Sequence, residues 1–145
     1  MAGSFSDYAE KKLLDLVFSA TAFTAPATLY LALFTDTNTA TQRDAGTVTE
    51  VSTGTWTIYT RESVTNNTTN CPAATGTLAT KGNGTTISIP AATIPSGSVT
   101  VNAVGFYDAA TAGNLIAWSD LGVAKTFTNG DTASLSANQF TITLD

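Results

Sequence analysis

Between Thr28 and Thr35 the chain reads Thr-Leu-Tyr-Leu-Ala-Leu-Phe-Thr. Successive side chains of a strand point to opposite faces, so this run sets apolar groups on both. Such a strand is stable only when other layers cover both of its faces. The chain is therefore expected to build a layered β structure around this segment.

The rest of the sequence fits that frame. Residues 36–55 are polar and read as a long loop with a short strand near 48–51. Residues 56–64 read as a strand and 65–84 as loop. Strands follow at 85–89, 99–108 and 115–121, the last two joined by a tight turn around Ala112-Gly113-Asn114. Asn129-Gly130 tolerates positive φ at both positions, which predicts a hairpin joining 123–128 to 132–135. In the final run, 139–144, Phe140, Ile142 and Leu144 alternate with polar residues and are expected to point inward. About seven to nine short strands after one helix read as a mostly β fold, a β-sandwich or jelly roll with one short N-terminal α-helix.

That helix is expected over residues 6–20. Leu13, Leu16, Val17 and Ala20 fall at helical spacing, and Leu14 and Phe18 widen the stripe. Asp7 is a candidate N-cap, with Glu10 three residues later. A helix this short is marginal alone, so its apolar face must dock. Its own sheet and a neighbouring subunit are both open as acceptors. Leu13, Leu16, Val17 and Ala20 are therefore the candidate assembly interface. The expected organisation is one domain over 1–145, with a docking helix at 6–20 and a sandwich at 27–145.

Composition narrows the function classes. Only 12% of the 145 residues are charged, the net charge is −5, and Thr makes up about a fifth of the chain. β-Branched Thr suits a pleated surface. The basic residues are six and mostly scattered: Lys11, Lys12, Arg43, Arg61, Lys81 and Lys125. Nucleic-acid binding needs a basic footprint, so no nucleic-acid partner is expected. No apolar run reaches the length of a membrane span, and the N-terminal segment lacks the basic start of a signal peptide. Cys71 is the single cysteine, which rules out an intramolecular disulfide and fits synthesis in a reducing cytoplasm.

The sequence contains no histidine. That removes the commonest general base and metal ligand, and the usual partner of a nucleophilic Ser or Cys. Asp36 and Asn38 resemble the opening of a calcium loop, but Thr41 stands where the sharp turn wants Gly. Asp7, Glu10 and Asp15 fit a solvated helix face, and Asp108, Asp120 and Asp131 fit turn and capping roles. A glycosidase-type pair hidden among the acids is the remaining enzymatic reading. Lys81-Gly82-Asn83-Gly84 lacks P-loop spacing, and the Asn-X-Thr sequons at Asn66, Asn67 and Asn83 matter only in a secretory pathway. Trp56, Tyr59, Phe106, Tyr107, Trp118 and Phe127 are better core aromatics than a sugar-binding face. No catalytic residue, cofactor or metal is expected.

Several stretches together carry a resemblance. They are the helix Asp7-Tyr8-Ala9-Glu10-Lys11-Lys12-Leu13-Leu14-Asp15, then Pro26-Ala27 running into Thr28–Thr35, then Thr65-Asn66-Asn67-Thr68-Thr69-Asn70 with Pro72-Ala73-Ala74. They continue with Val104-Gly105-Phe106-Tyr107-Asp108-Ala109-Ala110 leading to Gly113-Asn114-Leu115. Asn129-Gly130-Asp131 and Phe140-Thr141-Ile142-Thr143-Leu144 close the series. In this order, over nearly the whole chain, they resemble small virion structural proteins of tailed bacteriophages, often labelled tail-fibre or minor structural proteins. The resemblance implies a non-enzymatic role in the particle, assembled in the host cytoplasm. The leading expectation is a capsid cement (decoration) protein that packs as a homo-oligomer, as a trimer, against the major capsid protein or other virion proteins. The alternative is a tail- or head-fibre component, a base or an adhesin, that binds a host glycan or protein through its long loops.

Overall fold

The computed structural model describes residues 3–35 and 39–143. The elements are β1 (Gly3–Phe5), α1 (Asp7–Phe18), β2 (Thr28–Thr35), a short helix α2 (Ala40–Asp44), β3 (Glu62–Thr65), β4 (Lys81–Gly82), β5 (Ile87–Ile89), β6 (Val99–Tyr107), β7 (Leu115–Phe127), β8 (Ala133–Leu135) and β9 (Thr141–Ile142). The fold is mostly β with one short N-terminal helix, as the sequence indicates. A seven-stranded sheet runs β3-β2-β6-β7-β1-β9-β4, and a two-stranded ribbon pairs β5 with β8.

The doubly apolar strand lies second from one edge of the sheet, between β3 and β6. β2 pairs antiparallel with β6 over Tyr30↔Tyr107 to Thr35↔Val101, and β6 pairs antiparallel with β7. Along β2, Leu31 and Leu33 enter one core while Ala32 and Phe34 enter another on the opposite face. The larger core gathers Leu31, Leu33, Val101, Val104 and Phe106 against Ile87, Ile89, Ala133 and Leu135 of the ribbon, with Trp56 and Phe140 filling in from loops. Its aromatic rings meet at their edges or at a tilt, Trp56 with Tyr59 at 6.0 Å, Trp56 with Phe127 at 5.8 Å and Phe106 with Phe140 at 4.8 Å. All of the suspected sugar-face aromatics are thus core or packed against it. The smaller core holds Ala32, Phe34, Ala103, Tyr107, Leu115 and Trp118.

Several local expectations are corrected. Residues 56–61 are not strand. Turns bonded from Trp56 N and Thr55 N to the Ser52 carbonyl carry the indole into the core, and only Glu62–Thr65 pairs with β2. Burial of Trp56 and Tyr59 outweighs the local strand propensity there. The runs read as strands at 115–121 and 123–128 are one strand, β7, interrupted by a bulge. Val101 faces Lys125 but Ala103 faces Asp120, so residues 121–124 stand opposite Asn102 alone. Gly122, at φ 74°, supplies the left-handed residue this bend requires.

The hairpin expected around Asn129-Gly130 does not form. The turn is real, closed by Asp131 N to the Thr128 carbonyl, with the Asp131 carboxylate accepting from Thr128 N and Oγ1. However, Gly130 N and Asn129 Oδ1 bond to Ala92 and Ile94, and β8 pairs with β5 rather than β7. The turn therefore carries the chain from one layer to the other, with Gly130 alone of the pair at positive φ, 90°. β9 lies between β1, parallel, and β4, antiparallel; Phe140 is buried and Ile142 half-buried, while Leu144 lies outside the described residues.

Gly105 marks a tight point of the sheet, where β6 meets the smaller core. A Cβ there would lie 2.6 Å from Phe34 Cζ and 2.8 Å from Leu115 Cδ1. Gly105→Ala overpacks the smaller core and should cost about 1–3 kcal/mol. In urea titration the midpoint falls and the slope stays unchanged.

Candidate assembly surface

The N-terminal helix is built around Ser6 rather than Asp7. Ser6 has extended backbone angles and its hydroxyl accepts from Ala9 N, which makes it the N-cap and moves the cap one residue before the position expected from sequence. The same hydroxyl donates to the Leu115 carbonyl, and Ser6 N donates to the Ile116 carbonyl at 3.0 Å. The cap is thus also the joint between helix and sheet. A carboxylate at this buried position would lack the proton for that second bond. Asp7 and Glu10 occupy the first turn, where they complement the helix dipole.

α1 ends at Phe18, not at residue 20. Ser19 N and Thr21 N both bond the Asp15 carbonyl, and Ala20 reverses the chain at φ 51°. Ala20 is exposed and beyond the helix, so it does not share a helical face with the other three candidate residues.

The helix faces follow from 3.6-residue periodicity. Ala9 is buried and Leu13 half-buried, on the side that meets β1 and β7. Leu16 continues that side but is 44% exposed. On the far side, Leu14 (58% exposed), Val17 (68%) and Phe18 (81%) form an i, i+3, i+4 stripe open to solvent. Of the candidate interface residues, then, Leu13 belongs mostly to the internal joint, and Leu16 and Val17 are open. Leu14 and Phe18, which sequence reading used only to widen the stripe, are more exposed than Leu16. Their periodicity carried the signal; which side faced the sheet did not follow from it.

The loops are held from within. α2 is capped by Thr39 and Gln42 in a reciprocal capping box. Buried Arg43 pairs with Asp120 and lies over the Trp118 ring at 5.2 Å, while Asp44 accepts the Trp118 indole N–H at 2.9 Å. Arg61 binds both Glu50 oxygens and the carbonyls of Ala109 and Ala112, with its guanidinium 3.5 Å from the Tyr107 ring centroid. Tyr59 donates to Glu50 and accepts from Leu33 N, both at 2.9 Å. Burial first, and the Glu50 carboxylate second, push the Tyr59 phenol well above its ordinary 10.0.

Several of the described acids close turns or pair with arginine. Asp108 accepts from Asn114 N and Nδ2, and Asp131 closes its own turn, whose hydrogen bonds lower its carboxyl below the usual carboxylate range. Asp120 pairs with Arg43. Among the described residues, no three His, Cys, Asp or Glu side chains are placed to hold a metal, and no helix is long and apolar enough to cross a membrane. Asp36 and Asn38 lie outside the described residues. Cys71 is half-buried, and burial raises its thiol.

A family model described as "Podophage GP4 fiber I protein gp80" matches residues 4–143. None of the curated proteins matches the chain.

Two outcomes are expected here. Val17→Asp leaves the melting temperature nearly unchanged, within about 0.5 kcal/mol, because it alters solvated surface; Ala9→Asp, which buries an unpaired charge, unfolds or strongly destabilises the domain. Tyr59→Phe costs about 1–3 kcal/mol by leaving the Leu33 N–H without its acceptor. Because the folded Tyr59 pKa is raised, its protonated form contributes stability that is complete below pH 10 and lost as pH rises further. Alkaline unfolding followed by circular dichroism should therefore steepen above that pH in the wild type and less so in the variant.

Proposed function

The chain belongs to the podophage GP4 fiber I protein gp80 family, and from that membership we propose that it serves as a non-enzymatic fibre component of a phage particle, joined to neighbouring virion subunits through the open side of α1. The family match over residues 4–143 carries the fibre half of this reading. It speaks for a fibre component over the capsid cement protein that ranks first on sequence alone.

The exposed Leu14-Val17-Phe18 stripe carries the other half. Three large apolar side chains side by side on one short helix favour a partner, since desolvating them is favourable by roughly 25 cal/mol per Å². The domain has two cores of its own, and none of the three stripe residues belongs to either. The arginine-pinned loops suit such a role. Their backbones are held by Arg43 and Arg61, so few residues need ordering when the surface is covered.

Cryo-electron microscopy of intact particles tests the location. Density confined to fibres at the tail or at a vertex supports the proposal; density repeated over the icosahedral lattice overturns it in favour of cement. Val17→Asp combined with Phe18→Asp should yield folded protein that no longer enters particles. Normal incorporation of that variant would remove α1 from the assembly contact.

A further inference from the structure

The chain contains two Asn-Gly pairs, Asn83-Gly84 and Asn129-Gly130. Asparagine followed by glycine is prone to lose its side-chain amide without a catalyst. Glycine has no side chain to restrict its backbone, so its nitrogen reaches the asparagine Cγ readily. In both pairs the atoms that would react are held by hydrogen bonds. Asn83 is buried; its Nδ2 donates to the carbonyls of Thr85 and Ser136, its Oδ1 accepts from Phe140 N, and Gly84 N donates to the Asn70 carbonyl at 2.7 Å. Asn129 is exposed and is held from one side only, by the segment 92–94. Its Oδ1 accepts from Ile94 N at 3.1 Å, and Gly130 N donates to the Ala92 carbonyl at 2.7 Å. Ala92 N returns a bond to the Asp131 carbonyl, and the Ala92 and Ile94 side chains anchor the segment in the larger core.

We propose that Asn129 is a site of spontaneous deamidation, gated by the 92–94 segment. While the segment is seated, the Gly130 nitrogen and the Asn129 carbonyl are both engaged. When it lifts, both are released together. The Gly130 N–Cγ bond then forms and the Cγ–Nδ2 bond breaks. Nδ2 leaves as ammonia, taking the Gly130 N–H proton through water. Water adds at either carbonyl of the resulting succinimide and leaves aspartate or isoaspartate at this position. One water is consumed and one ammonia released, with no oxidant or cofactor. Either product places a new carboxylate near Asp131, whose own carboxylate already accepts from Thr128 N and Oγ1. Isoaspartate also lengthens the backbone by one atom inside the turn that Asp131 N closes onto the Thr128 carbonyl. The segment then no longer reseats on its former partners, so a brief local opening becomes a permanent chemical change.

Peptide mapping by mass spectrometry, with isoaspartate detection, tests this on the full chain held in mildly alkaline buffer with and without urea. In urea both asparagines should react at similar rates. In the folded protein Asn129 should still react, slowed at least about tenfold, and Asn83 should react more slowly again, because its bonds open only with the core. Ile94→Ala loosens the anchor of the segment and should speed the reaction at Asn129 severalfold while leaving Asn83 unchanged. If Ile94→Ala fails to fold, Thr57→Ala replaces it. Thr57 is exposed, and its Oγ1 donates to the Thr93 carbonyl at 3.2 Å, so its loss loosens the same segment from outside. Reaction at Asn129 as fast in the folded protein as in urea overturns the gate. So does acceleration of both asparagines alike in the folded variant, which would assign the reaction to global unfolding. No reaction at Asn129 in the folded protein overturns the site itself.

Discussion

A strand that is apolar on both faces cannot sit at the surface of a two-layer protein with one face wet. β2 is such a strand, and the architecture answers it on both sides. One face is covered conventionally, by a second sheet of two strands and by aromatic side chains from loops. The other is covered by the short helix α2 and by loops, which bring polar groups and little apolar area. The solution is to use the hydrocarbon and π surfaces of charged and aromatic residues together. Arg43 lies over Trp118, Arg61 over Tyr107, and each guanidinium pairs with a carboxylate at the rim.

This use of arginine explains how a chain with so few charges spends two of them inside. A planar guanidinium can stack and donate at once, which an ammonium cannot do as well. Arg61 ties its own loop to Glu50 and to the 109–112 turn and stacks on the Tyr107 ring at the end of β6. Glu50 extends the tie through Tyr59 to the β2 backbone at Leu33. Breaking such a network leaves buried polar groups behind, so its members act as a unit. The loops that sequence reading reserved for a receptor are, in their inner halves, structural.

The helix has a different logic. Its first half is integrated through Ser6, Ala9 and Leu13, and its second half leaves the sheet and presents apolar side chains to solvent. A fold that needed the helix only as a cover would bury both halves. The division leaves α1 fixed at its root and apolar at its projecting end, the form a connecting element takes under the proposed reading.

Some of this was legible in the residues. The class of fold followed from Thr28–Thr35 and the short strands after it. The existence of α1 followed from apolar periodicity, and the lack of histidine turned attention from catalysis to packing. These are local properties, because period and propensity act over a few residues. Elsewhere local signals misled. Residues 56–61 have strand composition but turn, since the large core needed Trp56; Asn129-Gly130 has hairpin chemistry but changes layers, since β8 finds a partner in β5. Ser6 outcompeted Asp7 as cap only because Leu115, far away in sequence, offers a carbonyl to its hydroxyl. The sequence by itself determined which segments are apolar and with what period. Only the tertiary structure decided which side of α1 packs on the sheet and which stays exposed, because burial is a relation between segments and no single segment contains it.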